Sequence, residues 1–154
     1  MDTICAFLKY DHERCDDLFY QAETSIAQRN WKSAIDNFRK YQDVLKQHIR
    51  MEEKVLLPAF EQTLVGGAEP VAMLRCEHRQ IDGIVHRMWE AIQRFDPTDY
   101  VLHAETLTLL MQQHTLKEEE MLYPLLDRAL ACKRSKIINA MAEFLEPPEP
   151  HLAA

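Results

Sequence analysis

The chain has 154 residues, 47% of them hydrophobic, and a formal net charge of −7; this length suits one domain that buries roughly two-thirds of the surface its unfolded form exposes. Three glycines argue against the frequent turns of a sheet protein and for long helices, and the acidic balance gives no basic footprint for nucleic acid or an anionic membrane. No apolar run approaches the roughly 20 residues of a membrane span, and four scattered cysteines (Cys5, Cys15, Cys76, Cys132) with no C-x-x-C pair or signal-peptide pattern read as free thiols in a reducing cytoplasm.

Apolar residues from Ile4 through Leu8, Cys15, Phe19 and Ile26 fall at helical spacing and predict a first helix over about Thr3 to Arg29, ended by Asn30. A second stripe, Ala34, Phe38, Tyr41, Leu45, Val55 and Ala59, runs from about Trp31 to Pro58, where the helix should kink or stop. Gly66-Gly67 closes this half. Pro70 suits the first position of a third helix, which Leu74, Ile81, Val85, Met88 and Ile92 carry to Asp96-Pro97. The fourth helix, about Thr98 to Ala131, sets Leu107, Met111, His114, Glu118, Met121 and Leu125 at steps of four and three, so its polar residues of interest lie inside the apolar stripe. A short helix near Ser135 to Glu146 follows. Residues 1–146 are expected to form the domain, and 147–154, with three prolines, a loose tail.

One offset organises these elements. His48-x-x-x-Glu52 recurs as His114-x-x-x-Glu118, and His12 recurs as His78, each 66 residues later. His12 and His48 both lie 18 residues from Asn30, and His78 and His114 both lie 18 residues from Asp96. At about 1.5 Å of rise per residue, all four histidines therefore sit roughly 27 Å from the same end of antiparallel helix pairs. This level match predicts an all-α fold, an antiparallel up-down-up-down four-helix bundle with a short C-terminal fifth helix, carrying one ligand layer.

Residues i and i+4 stack on one helix face, so each His-Glu pair presents nitrogen and oxygen to the same interior volume. A lone His-x-x-x-Glu is more often a solvated pair worth a few tenths of a kcal/mol, but duplication at one level makes a two-metal site the better reading. Imidazoles with bridging carboxylates suit iron or manganese, and four histidines favour iron. Glu53, Glu119 and Glu120 read as solvent-facing, with Glu119 an alternative to Glu118 as the bridge. His86 and His103 read as structural or exposed, Tyr41 as core, and Cys15 and Cys76 as buried thiols.

Through His12, His48-Ile-Arg-Met-Glu52, His78 and His114-Thr-Leu-Lys-Glu118, the chain resembles the hemerythrin-like, or H-H-E cation-binding, family over about residues 5 to 130. The resemblance implies a non-haem centre of two iron ions bridged by Glu52 and Glu118, with His12 and His48 on one iron and His78 and His114 on the other. Two departures from the respiratory hemerythrin pattern stand out: Asp82 takes the place of a fifth histidine four residues after His78, and Glu118 replaces a more distal Asp. Asp16 repeats Asp82 after His12, and both read as extra ligands, hydrogen-bond acceptors to the ligands, or groups holding water. The function expected from the resemblance is binding of dioxygen or another small diatomic ligand, for carriage, storage or sensing, or the handling of nitric oxide or iron. An enzymatic di-iron peroxidase or oxidase is the alternative, and a bundle merely held together by metal a further one. An exposed helix face leaves room for a homodimer.

Overall fold

The structure, a computed structural model, describes residues 2–63 and 66–145. Among them there is no strand. Helix α1 (Ile4–Ala27) is followed by α2 (Trp31–Met51), a π-helical turn (Glu52–Leu56) and α3 (Leu57–Thr63). The second half repeats this plan with α4 (Ala68–Gln93), α5 (Pro97–Lys117), a second π-helical turn (Glu118–Leu122) and α6 (Tyr123–Ala129), and then adds a 3-10 turn and α7 (Arg134–Ala142). The loose tail expected at 147–154 lies outside the described residues.

The two tight turns are built alike. After α1, Asn30 N–H reaches back to Ser25 O (3.0 Å) and Arg29 N–H to Ile26 O (3.0 Å); after α4, Asp96 N–H reaches Ala91 O (2.9 Å) and Phe95 N–H reaches Ile92 O (3.0 Å). This double closure satisfies the last carbonyls of each helix and needs a left-handed residue, supplied by Arg29 at φ 58° and Phe95 at φ 54° rather than by glycine. Asn30 and Asp96 then cap the next helix, accepting from Ser33 N–H (3.3 Å) and Asp99 N–H (3.0 Å), each cap being worth about 1 kcal/mol. One residue thus closes one helix and opens the next. The turns fold α1 against α2 and α4 against α5, α2 packs on α4, and α6 and α7 pack on α1. Asp127 of α6 fastens the chain ends, accepting from Ile4 N–H (2.8 Å) and Cys5 N–H (3.0 Å).

Neither long second helix stops at its proline. Pro58 and Pro124 lack the N–H that an α-helix needs, and the chain widens just before each of them: Leu57 N–H bonds to Glu52 O and Tyr123 N–H to Glu118 O, five residues back. The helix resumes beyond the widened turn, so of the kink or stop expected at Pro58 the stop does not form, and the irregularity is a π-helical bulge. Pro70 is likewise not the first helical residue but the third, still within the turn whose N–H groups have no helical acceptor.

The apolar core is split in two. One cluster, including Phe38, Tyr41, Leu45, Ile81, Met88 and Tyr100, fills the end near the tight turns; the other, including Leu8, Met51, Leu56, Leu74, Tyr123 and Leu126, fills the opposite end. Each buried leucine or isoleucine contributes roughly 1.5–3 kcal/mol. The polar layer lies between them, because each helix changes register at one level: His12 sits between Leu8 and Cys15, His48 between Leu45 and Met51, His78 between Leu74 and Ile81, and His114 between Leu107 and Leu122.

Candidate metal centre

All six predicted residues meet in that layer and are buried, each at 6% exposure or less. They form two groups sharing both glutamates: His12, His48, Glu52 and Glu118, and Glu52, His78, His114 and Glu118, with the ligand atoms of each group within 4.8 Å of one another. The two oxygens of each carboxylate divide between the groups. Glu52 Oε1 faces His48 Nε2 (3.6 Å) and Oε2 faces His78 Nε2 (3.1 Å), while Glu118 Oε2 faces His12 Nε2 (3.2 Å) and Oε1 faces His114 Nε2 (2.8 Å). Glu118, not Glu119, stands between the halves.

Each imidazole turns its Nδ1 outward to a carboxylate from another helix or turn. His12 bonds to Glu119 Oε1 (2.8 Å), His48 to Asp11 Oδ2 (2.8 Å), His78 to Glu53 Oε1 (3.0 Å) and His114 to Glu77 Oε2 (2.6 Å). An acceptor at Nδ1 fixes the tautomer and ring angle so that Nε2 points at the centre, the arrangement that makes a histidine a good metal ligand. Cations hold three of these acceptors from outside: Arg14 on Asp11 (2.9 Å), Lys9 on Glu119 (3.5 Å), and Lys117 on Glu77. Glu53 and Glu119 are therefore not solvent-facing as expected, whereas Glu120 is exposed.

Asp16 and Asp82 stand elsewhere. Both are exposed and neither joins the ligand groups. They line equivalent grooves, of about 630 Å³ for Asp16 and 730 Å³ for Asp82. The hydrogen-bonding role expected of them belongs instead to Asp11, Glu77, Glu53 and Glu119. These four also repeat at 66 residues, as Asp11/Glu77 and Glu53/Glu119, so the signal that found the ligands would have found them too. His86 is exposed beside Glu90, and His103 pairs with Asp99. Tyr41 is core, packed on Phe19 and Phe38. All four thiols are free, with Cys15 buried and pushed up to about 12 by that burial, but Cys76, expected to be buried, is exposed.

The electrostatics of the cluster call for positive charge. Burial alone would lower the histidine pKa values, yet hydrogen bonding and attraction to Glu118 and Glu52 outweigh it, raising His12 to about 9 and His78 to about 10. Burial likewise opposes ionisation of Glu118, but its hydrogen bonds with His114, His12 and His78 hold it well below the ordinary carboxylate range. The Glu118 carboxylate in its dry interior is thus stabilised by protons on its histidine neighbours, protons that a cation would displace. Three buried atoms, Glu52 Oε2, His78 Nε2 and Glu118 Oε1, lack a well-aligned hydrogen bond despite histidine–carboxylate approaches of 2.8–4.0 Å, a deficit that metal coordination would make good. The donor set fits a borderline or hard cation with mixed imidazole and carboxylate ligands.

Tyr123 was not singled out by the sequence. It is fully buried, and its hydroxyl donates to Glu52 Oε1 (2.5 Å), with Glu118 Oε2 at 3.0 Å and His12 Nε2 at 3.3 Å.

A family model described as the hemerythrin HHE cation binding domain matches residues 3–126. No curated protein and no solved structure matches the chain.

Proposed function

From the premise that the chain belongs to the hemerythrin HHE cation-binding domain family, we propose that its two ligand groups each hold an iron ion and that the pair binds dioxygen or a similar diatomic ligand. In this reading His12 and His48 hold one ion, His78 and His114 the other, and Glu52 and Glu118 bridge them within an up-down-up-down bundle. The observation that carries it is the division of the carboxylate oxygens: Oε1 and Oε2 of Glu52, and likewise of Glu118, address histidines of opposite halves, as bridging a metal pair requires. Iron supplies the electrons for binding oxygen. The chain's own residues fix the imidazoles through Nδ1, balance charge with the two bridging carboxylates, and exclude water with apolar layers, Leu45 and Ile81 on one side and Met51 and Leu122 on the other.

Among the described residues no helix is long and apolar enough to cross a membrane; a cytoplasmic location and a homodimer remain part of this proposal. Anaerobic ferrous loading followed by oxygen tests it. Absorption bands that appear with oxygen and vanish on its removal support reversible binding, and bands that decay irreversibly with consumption of reductant replace it with the oxidase reading.

A further inference from the structure

The internal repeat pairs each of the six clustered residues, and each carboxylate that orients a histidine, with a like residue, but Tyr123, which touches three of the six, has no such twin. Position 123 corresponds to position 57, 66 residues earlier, and there the chain has leucine. Both side chains are buried, and both follow a bridging glutamate by five residues across a π-helical turn. In one half the turn is followed by an aliphatic group; in the other it is followed by a phenol whose hydroxyl reaches the clustered residues.

We propose that Tyr123 makes the two metal positions unlike, its phenolic oxygen filling the remaining position of the metal held by His12 and His48, so that an exogenous ligand binds at the metal held by His78 and His114. This rests on the two-metal reading above. The hydroxyl oxygen lies within 3.3 Å of three of the four ligand groups of the His12 half, through Glu52 Oε1, Glu118 Oε2 and His12 Nε2. Those are three of the four donors around one metal position, and a fifth donor touching three of them shares their centre. The atoms that lack a well-aligned hydrogen bond, Glu52 Oε2, Glu118 Oε1 and His78 Nε2, approach one another in the other half. No other tyrosine hydroxyl among the described residues bonds to any of the six ligands.

The two grooves differ as well. The groove lined by Asp82 and Glu53 includes His78 in its lining, whereas its twin, lined by Asp16 and Glu119, includes no ligand. When the oxygen–metal bond forms, the O–H bond of Tyr123 breaks and its proton leaves to solvent, with no change of oxidation state.

The test loads wild type and Tyr123→Phe with ferric iron, measures iron per chain, and records resonance Raman spectra and azide titrations. Wild type is expected to show tyrosinate ring vibrations enhanced by an iron charge-transfer band and to bind one azide per chain. Tyr123→Phe, which keeps the ring's packing, is expected to lose those vibrations, keep the iron ratio, and bind a second azide. Iron-loaded wild type without tyrosinate vibrations overturns the proposal while leaving the two-metal reading intact. Wild type that takes up no iron overturns both.

Discussion

The two halves of the centre match in their six clustered residues and in the carboxylates that orient the histidines, but differ in the buried residue five places after each shared glutamate. His12, His48, Asp11 and Glu119 in one half answer His78, His114, Glu77 and Glu53 in the other, with hydrogen bonds of 2.6–3.0 Å at every Nδ1. Around this matched frame, Tyr123 corresponds to Leu57, and its hydroxyl reaches Glu52, Glu118 and His12 but neither His78 nor His114. Duplication places the six residues and orients the histidines; the phenol of one half makes their surroundings unequal.

Removing a residue common to both halves should have the largest effect. Glu118→Ala is expected to abolish metal uptake at both positions, whereas His48→Ala and His114→Ala should each cost only the ion of their own half, as measured by metal content after loading and desalting. If Glu118→Ala retains half the metal, the carboxylate is not shared. Asp11→Ala and Glu77→Ala come next: each removes the acceptor that orients one histidine, His48 or His114, and should weaken metal binding at that half by roughly 10–100-fold in a chelator competition. Equal effects would show that the frame is matched energetically as well as geometrically.

The clustering of the six residues was legible because a chain duplicated at 66 residues places like residues at like heights, and that arithmetic needs no knowledge of neighbouring helices. Their carboxylate partners were not legible from helix faces. Asp11 and Glu77 each adjoin a ligand histidine in sequence, about 100° round the helix from it, and so look misdirected. Each in fact serves the histidine of the paired helix, His48 and His114. Tyr123 was hidden for a different reason. Five residues along an α-helix turn about 500°, leaving Tyr123 about 140° from Glu118. Only the π-helical turn, with its bond from Tyr123 N–H to Glu118 O, brings the hydroxyl to Glu118. Pro58 and Pro124 mark that turn at the same offset, but a single proline signals only a kink or a stop.

Smaller effects refine the comparison. In the metal-free protein the folded pKa values of His12 and His78, about 9 and about 10, stand above the unfolded value of 6.5. Their stabilisation is then complete below pH 6.5 and is lost as pH rises through 9 to 10. Urea midpoints of the metal-free protein should fall over that window, with the His78 half titrating last, and metal loading should flatten the trend. The smallest effect concerns the twin turns: Arg29→Gly should raise stability by about 0.5 kcal/mol by relieving a left-handed residue. Phe95→Gly should gain less, because it forfeits the edge contact with Trp31 at 5.3 Å.

The most direct measurement is an anaerobic ferrous titration of wild type, followed by equilibrium dialysis and metal analysis. A shared pair of carboxylates between two histidine pairs predicts saturation at two irons per chain. Saturation at one iron, or undiminished uptake when His48 and His114 are both replaced by alanine, would contradict the two-metal centre.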